Sequence, residues 1–161
     1  MILFLDFDGV LHPDPCPDAA LLFEHAPRLV QALSGFPGVG LVLSTAWRQT
    51  KSYEELLAVL PNDLRQRVIG ITPNFSDFAA LASLIPYPRQ AECLQWLHDN
   101  GLRNEAWIAL DDRPAWFAPY CENLIACHPQ SGFDAEISAR LCSALQRHRL
   151  KRGREVDLLI E

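Results

Sequence analysis

An unbroken apolar run, Ile2-Leu-Phe-Leu5, narrows the possible folds more than any other stretch of this chain. Four apolar residues without alternation suit a strand buried on both faces, and such strands belong to parallel sheets covered by helices on each side. The pattern recurs in Gly40-Leu-Val-Leu-Ser-Thr45, Val68-Ile-Gly-Ile71, Ala106-Trp-Ile-Ala-Leu110 and Asn123-Leu-Ile-Ala-Cys127. Stretches with helical spacing separate these runs. Strands alternating with helices predict a doubly wound α/β domain with about five parallel strands and helices on both faces.

The ends of the runs carry the chemistry, because open parallel sheets build their sites at the carboxyl ends of their strands. Asp6 and Asp8 follow the first run, with Gly9 directly behind. If the chain stays extended through Phe7, period-2 geometry puts both acids on one side, about 6–7 Å apart. That gap holds a phosphorus atom between a nucleophilic oxygen and a proton donor. Ser44 and Thr45 end the second run, and Asp111-Asp112 follow the fourth. Adjacent carboxylates facing two further acids repel one another, and a divalent cation is the simplest relief. Mg²⁺ suits the set, being hard, oxygen-seeking and commonly held by one or two carboxylates plus phosphate and water.

Taken together, these motifs make the chain resemble the haloacid dehalogenase (HAD) superfamily of phosphohydrolases. Asp6-Phe-Asp-Gly-Val-Leu-His12 is similar to its first motif, an apolar strand followed by Asp-x-Asp-Gly-[Val/Thr]. Thr45, with Ser44 as the alternative, matches the hydroxyl of its second motif, which bonds a phosphate oxygen. Arg89 stands where the third motif places a Lys or Arg at a helix start, with Arg48 and Lys51 as competitors. Asp111-Asp112 matches the metal-binding fourth motif. The local form Thr45-Ala-Trp-Arg48 resembles a branch of the superfamily linked to RNA repair. The resemblance implies a Rossmann-like domain with strand order 5-4-1-2-3 and the four motifs in one crevice. It also implies an aspartyl-phosphate route: Asp6 attacks phosphorus, and Asp8 protonates the leaving oxygen and then activates water. Asp6, Asp111 and the backbone carbonyl of Asp8 would hold Mg²⁺. Asp112 would hold a metal-bound water or position Arg89, while Thr45 and Arg89 would bind phosphoryl oxygens. Arg48 would meet a backbone phosphate.

The remaining expectations concern the connections. His12 to Asp18 has three prolines in seven residues, which dictates a rigid loop. A helix is expected from Asp18 to Leu33 with Leu22, Leu29, Val30 and Leu33 inward, interrupted or restarted at Pro27. Ser52 should cap a helix to Leu60, and Arg89 should open one closed by Asn100-Gly101. A last helix is expected from Ala135 to about Arg149, with Ile137, Leu141 and Leu145 inward. Thr72 to Pro88 reads as loop, with a helical turn around Phe78 to Leu84. Neither this stretch nor His12 to Asp18 has room for a cap domain, so the crevice should be open and suited to a phosphate on a large molecule. Trp47 is open to two readings, a platform for a nucleic-acid base or a core side chain.

Composition sets the outer bounds. The chain of 161 residues is read as one domain, with 151–161 as a C-terminal tail. The formal charge of −6 argues against bulk affinity for nucleic acid. The basic run Arg147 to Arg154 is either a solvated face or a local phosphate-tracking patch. Five cysteines without metal or Cys-x-x-Cys spacing point to thiols in a reducing compartment. No signal peptide or membrane span is expected, so the predicted location is cytoplasmic. The predicted activity is a Mg²⁺-dependent phosphatase acting on a phosphorylated substrate, a nucleic-acid end first and a phosphoprotein second. The competing class is a HAD-like module that captures a phosphorylated partner without turnover, and small-metabolite hydrolysis is a further alternative.

Overall fold

The computed structural model describes residues 1–75 and 85–157, with side chains through residue 150. The helical turn expected around Phe78 to Leu84 lies outside the described residues. Five strands form one sheet: β1 (Ile2–Leu5), β2 (Gly40–Leu43), β3 (Val68–Ile71), β4 (Trp107–Asp111) and β5 (Leu124–Ala126). Their order is β3-β2-β1-β4-β5, with every neighbouring pair parallel. The expected strand order is therefore observed. β1 sits at the centre, flanked by β2 and β4, and Leu5 is in register with Leu43 and Leu110. The residues after these three strands are thus neighbours in space.

Period-2 side-chain direction divides the buried strand residues between two cores. Leu3, Leu5, Leu41, Leu43, Ile108 and Leu110 face one layer. That layer includes α1 (Ala26–Leu33), α2 (Tyr53–Ala58), α3 (Asn62–Arg65) and α5 (Ala135–Asp157). Ile2, Phe4, Val42, Trp107 and Ala109 face the other, built on α4 (Pro88–Asp99) through Cys93, Trp96 and Leu97. Both strand faces are covered, which is why the strands lack polar alternation. No helix among the described residues is long and apolar enough to cross a membrane.

The helix expected from Asp18 is broken. Asp18 caps only a 3₁₀ turn, Ala19–Leu21, and accepts from Ala20 N–H at 2.9 Å. Phe23 then adopts φ 62°, and α1 restarts at Ala26 with Pro27 in its first turn. Pro27 has no N–H and a fixed φ, so it fits a helix start and no helix interior. Leu22 is consequently exposed, whereas Leu29 and Leu33 are buried as expected. Ser52 caps α2 in a full capping box with Glu55, but the helix ends at Ala58. α5 runs past Arg149 to Asp157, burying Ile137, Leu141 and Leu145.

Candidate active site

Three strand ends and one helix start meet at the carboxyl edge of the sheet. Asp6 follows β1, and its N–H still donates to Leu110 O at 3.1 Å, so its backbone position is set by the sheet. Ser44 N–H likewise donates to Leu5 O at 2.8 Å. Asp111 closes β4, with its carbonyl accepting from Cys127 N–H at 3.0 Å. Gly9, at φ 65°, turns the chain tightly past this group. A Cβ there would come within 2.5 Å of the Asp112 carboxyl, so the close approach requires glycine.

Asp6, Asp111 and Asp112 are all buried, and each presents a carboxylate oxygen within 4.8 Å of the others. Burial pushes the Asp6 carboxyl up to about 6, against the pull of Arg89 and the Phe7 N–H, which donates to Asp6 Oδ1 at 2.7 Å. Burial also raises the Asp111 carboxyl well above the usual range, and the charge of Asp6 adds to the effect. Asp112 is raised by burial as well, with Arg113 opposing. Three crowded oxygen donors whose charge the protein alone does not neutralise are the donor set that a small hard cation takes. Mg²⁺ fits the residues present.

Arg89 is the cation that reaches Asp6 and Asp111. Its guanidinium lies 3.6 Å from Asp6 Oδ2, 3.3 Å from Asp111 Oδ2 and 3.8 Å from Glu92 Oε2. It also donates to Ser44 O. Nε is within ion-pair range of Asp111 but makes no aligned hydrogen bond among the described residues, so that contact is coulombic. Burial opposes the Arg89 charge, yet Asp6, Asp111 and Glu92 outweigh it and hold its pKa above the ordinary value. Its competitors make other contacts. Arg48 donates to Thr45 O at 2.5 Å and pairs with Glu92 at 2.6 Å, bracing the β2 loop against α4. Lys51 rests 5.5 Å from the Trp47 ring. Within the adjacent pair, Asp112 meets Arg113 at 3.4 Å and it is Asp111 that contacts Arg89.

The two hydroxyls separate in the same way. Ser44 Oγ turns to Cys93 Sγ at 3.9 Å. Thr45 Oγ1 accepts from Trp47 N–H at 3.3 Å, which leaves its proton for another acceptor. Asp8 lies outside the three-acid group and faces different partners. Trp47 Nε1 donates to both of its oxygens at 2.9 Å, and His12 Nε2 lies 3.0 Å from Oδ1. Burial alone would raise the Asp8 pKa, but the His12 and Trp47 hydrogen bonds outweigh it and hold it below the usual carboxylate range. His12 is buried, and its Nδ1 has no hydrogen-bond partner among the described residues.

Trp47 is therefore neither simply a stacking platform nor simply core. Its ring packs against Phe7, Phe23 and His12 while its N–H serves Asp8. Glu92 was not among the residues singled out by sequence, although it stands one helical turn after Arg89, a spacing that brings side chains together. His12, four residues after Asp8, carried a similar local signal.

The raised acids give a stability prediction for the metal-free protein. The folded state binds more protons than the unfolded chain between the unfolded pKa, 3.8, and the folded value of Asp6, about 6. Stability should therefore rise as pH falls from 7 toward 4, by about 2 kcal/mol from Asp6 alone. Saturating Mg²⁺ should raise the melting temperature most near pH 7 and flatten the trend. Melting curves in chelator and in Mg²⁺ across this range measure it, and identical slopes would mean that these acids hold no metal.

A family model described as "HAD domain in Swiss Army Knife RNA repair proteins" matches residues 2–137. This span takes in Asp6, Asp8, Thr45, Arg89, Asp111 and Asp112. No curated protein and no solved structure matches the chain.

Proposed function

The chain belongs to the family of HAD domains in Swiss Army Knife RNA repair proteins, and on that premise we propose that it is a Mg²⁺-dependent phosphohydrolase working through an aspartyl-phosphate. The observation that carries the reading is the Asp6 carboxylate, buried beside both Arg89 and the Asp111-Asp112 pair. Asp6, Asp111 and Asp112, with the carbonyl of Asp8, would hold Mg²⁺. When bound, the ion offsets the repulsion between the acids and an incoming phosphate and polarises the phosphoryl oxygens. Asp6 attacks phosphorus, a known route for carboxylate nucleophiles. Arg89 and the Thr45 hydroxyl take the equatorial oxygens, where the transition-state charge spreads. Asp8 protonates the leaving oxygen and then accepts a proton from the attacking water.

The substrate we infer is a phosphate at the end of a nucleic acid. The family description supports this reading, as does a rigid, short His12 to Asp18 connection. Trp47 is engaged with Asp8, but Trp116 is exposed and lies 5.2 Å from the Arg89 guanidinium and 5.6 Å from that of Arg113. An aromatic ring beside the phosphate-binding cation is a stacking surface for a terminal base. The expected result is Mg²⁺-dependent phosphate release, with catalytic efficiency highest on 5′- or 3′-phosphorylated oligonucleotides, lower on phosphopeptides and lowest on free metabolites. A single metabolite turned over far faster than either polymer removes the substrate assignment. Binding of phosphorylated partners without hydrolysis of any phosphoester removes the enzyme reading.

A further inference from the structure

Asp8 is gripped by a side chain to which the reaction outlined above gives no part. An indole N–H only donates, so contact with both carboxylate oxygens at 2.9 Å matches a carboxylate with both oxygens available to accept. The ring itself has little freedom. Phe7 lies 5.7 Å and Phe23 5.5 Å from it in edge-on geometry, and His12 lies tilted at 5.8 Å. Phe7, wholly buried between Asp6 and Asp8, makes this cage part of the same turn that carries both acids. The Trp47 backbone N–H is bonded to Thr45 Oγ1, so the indole is tied to the β2 loop as well. Without the indole, the half-exposed Asp8 side chain would keep the His12 contact at 3.0 Å on Oδ1 but lose its hold on Oδ2. A proton acceptor has to lie within hydrogen-bond reach of the proton it takes, and a misplacement of about 1 Å costs on the order of 100-fold in rate.

We propose that Trp47 is a positioning residue that aims the Asp8 carboxylate at water in the hydrolytic half of the cycle. The inference rests on the phosphohydrolase reading. In that half, the water oxygen bonds to phosphorus and its proton passes to Asp8. The bond between phosphorus and the Asp6 oxygen breaks, its electron pair returns to Asp6 as a carboxylate, and inorganic phosphate leaves. The first half, with a leaving group as acidic as nitrophenol, needs no proton from Asp8. Loss of the indole N–H therefore falls on breakdown of the phosphoenzyme.

The test is Trp47→Phe, which keeps an aromatic ring for the cage and removes the donor, with p-nitrophenyl phosphate and Mg²⁺ as the probe. Expected is a fall in kcat of about 10- to 100-fold with KM falling alongside it, and kcat/KM held within about twofold. Rapid mixing should show a burst of one nitrophenolate per protein molecule. A parallel loss of kcat and kcat/KM with no burst overturns the inference, as does an unchanged kcat. If Trp47→Phe does not fold, 3-benzothienylalanine at position 47 replaces the N–H with sulfur in a bicycle of the same shape, and the same outcomes decide. A wild-type protein that hydrolyses no phosphoester overturns the enzyme reading together with this one. An active wild type whose variant lacks the split between KM and kcat overturns this one alone.

Discussion

Asp6→Asn should abolish phosphohydrolase turnover and raise the melting temperature of the metal-free protein at pH 7. The first effect follows from removing the proposed nucleophile, with a loss on the order of 10⁴-fold or more in kcat. The second follows from burial. Asp6 is almost wholly shielded and its carboxyl is pushed up to about 6, so keeping it ionised at pH 7 costs stability despite Arg89. The amide has nearly the same shape and no charge. Its Oδ1 can still accept from the Phe7 N–H, which now donates to Asp6 at 2.7 Å. A gain of several degrees is expected at pH 7, shrinking toward pH 4, where the wild-type carboxyl is itself protonated. Mg²⁺ should stabilise the variant less than it stabilises the wild type. Phosphate release and paired melting curves measure both effects. Full activity in Asp6→Asn would falsify the nucleophile assignment.

Arg89→Met should move stability in the opposite direction. The guanidinium is the shared counter-ion of Asp6, Asp111 and Glu92, all of them buried. Breaking such a set by deleting one sign leaves uncompensated buried charge, at a cost of about 3–5 kcal/mol. Arg48 remains beside Glu92 at 2.6 Å and limits the damage there, so the exposed deficit is at Asp6 and Asp111. The loss should be largest at pH 7, and it should recede as pH falls and these two acids take up protons. Mg²⁺ should restore part of the stability by supplying positive charge to the same oxygens. It should not restore catalysis, because the proposed donor to the phosphoryl oxygens is gone and a 10²- to 10³-fold deficit is expected to remain. Melting and kinetics in the presence and absence of Mg²⁺ separate the two. Equal activity of Arg89→Met and wild type would return the phosphate-binding role to Arg48 or Lys51.

The sheet was legible because strands buried on both faces have to be apolar throughout, and Ile2 to Leu5, Gly40 to Leu43 and Trp107 to Leu110 satisfy that rule without exception. The acids were legible for a related reason. A polar residue directly after such a run must lie at the sheet edge, so Asp6 and Asp111 could be placed once the strands were. The broken first helix was only half legible: Pro27 announced a restart, but the positive φ at Phe23 and the exposure of Leu22 left no mark in the local pattern.

Sequence by itself therefore determined the parallel sheet, the chain positions of its carboxyl ends and the inventory of groups gathered there. Only the tertiary structure decided which of those groups touch. Trp47 finds Asp8 across 39 residues, Arg48 finds Glu92 across 44, and Arg89 rather than Arg48 or Lys51 reaches Asp6 and Asp111. Ser44 and Thr45 are adjacent in the chain yet diverge, one hydroxyl toward Cys93 and the other toward the β2 loop. Hydrophobic periodicity is a local property repeated along each element, so it survives in the linear text. A charge pair across two loops is set by where separate elements pack, and no period of the sequence records it.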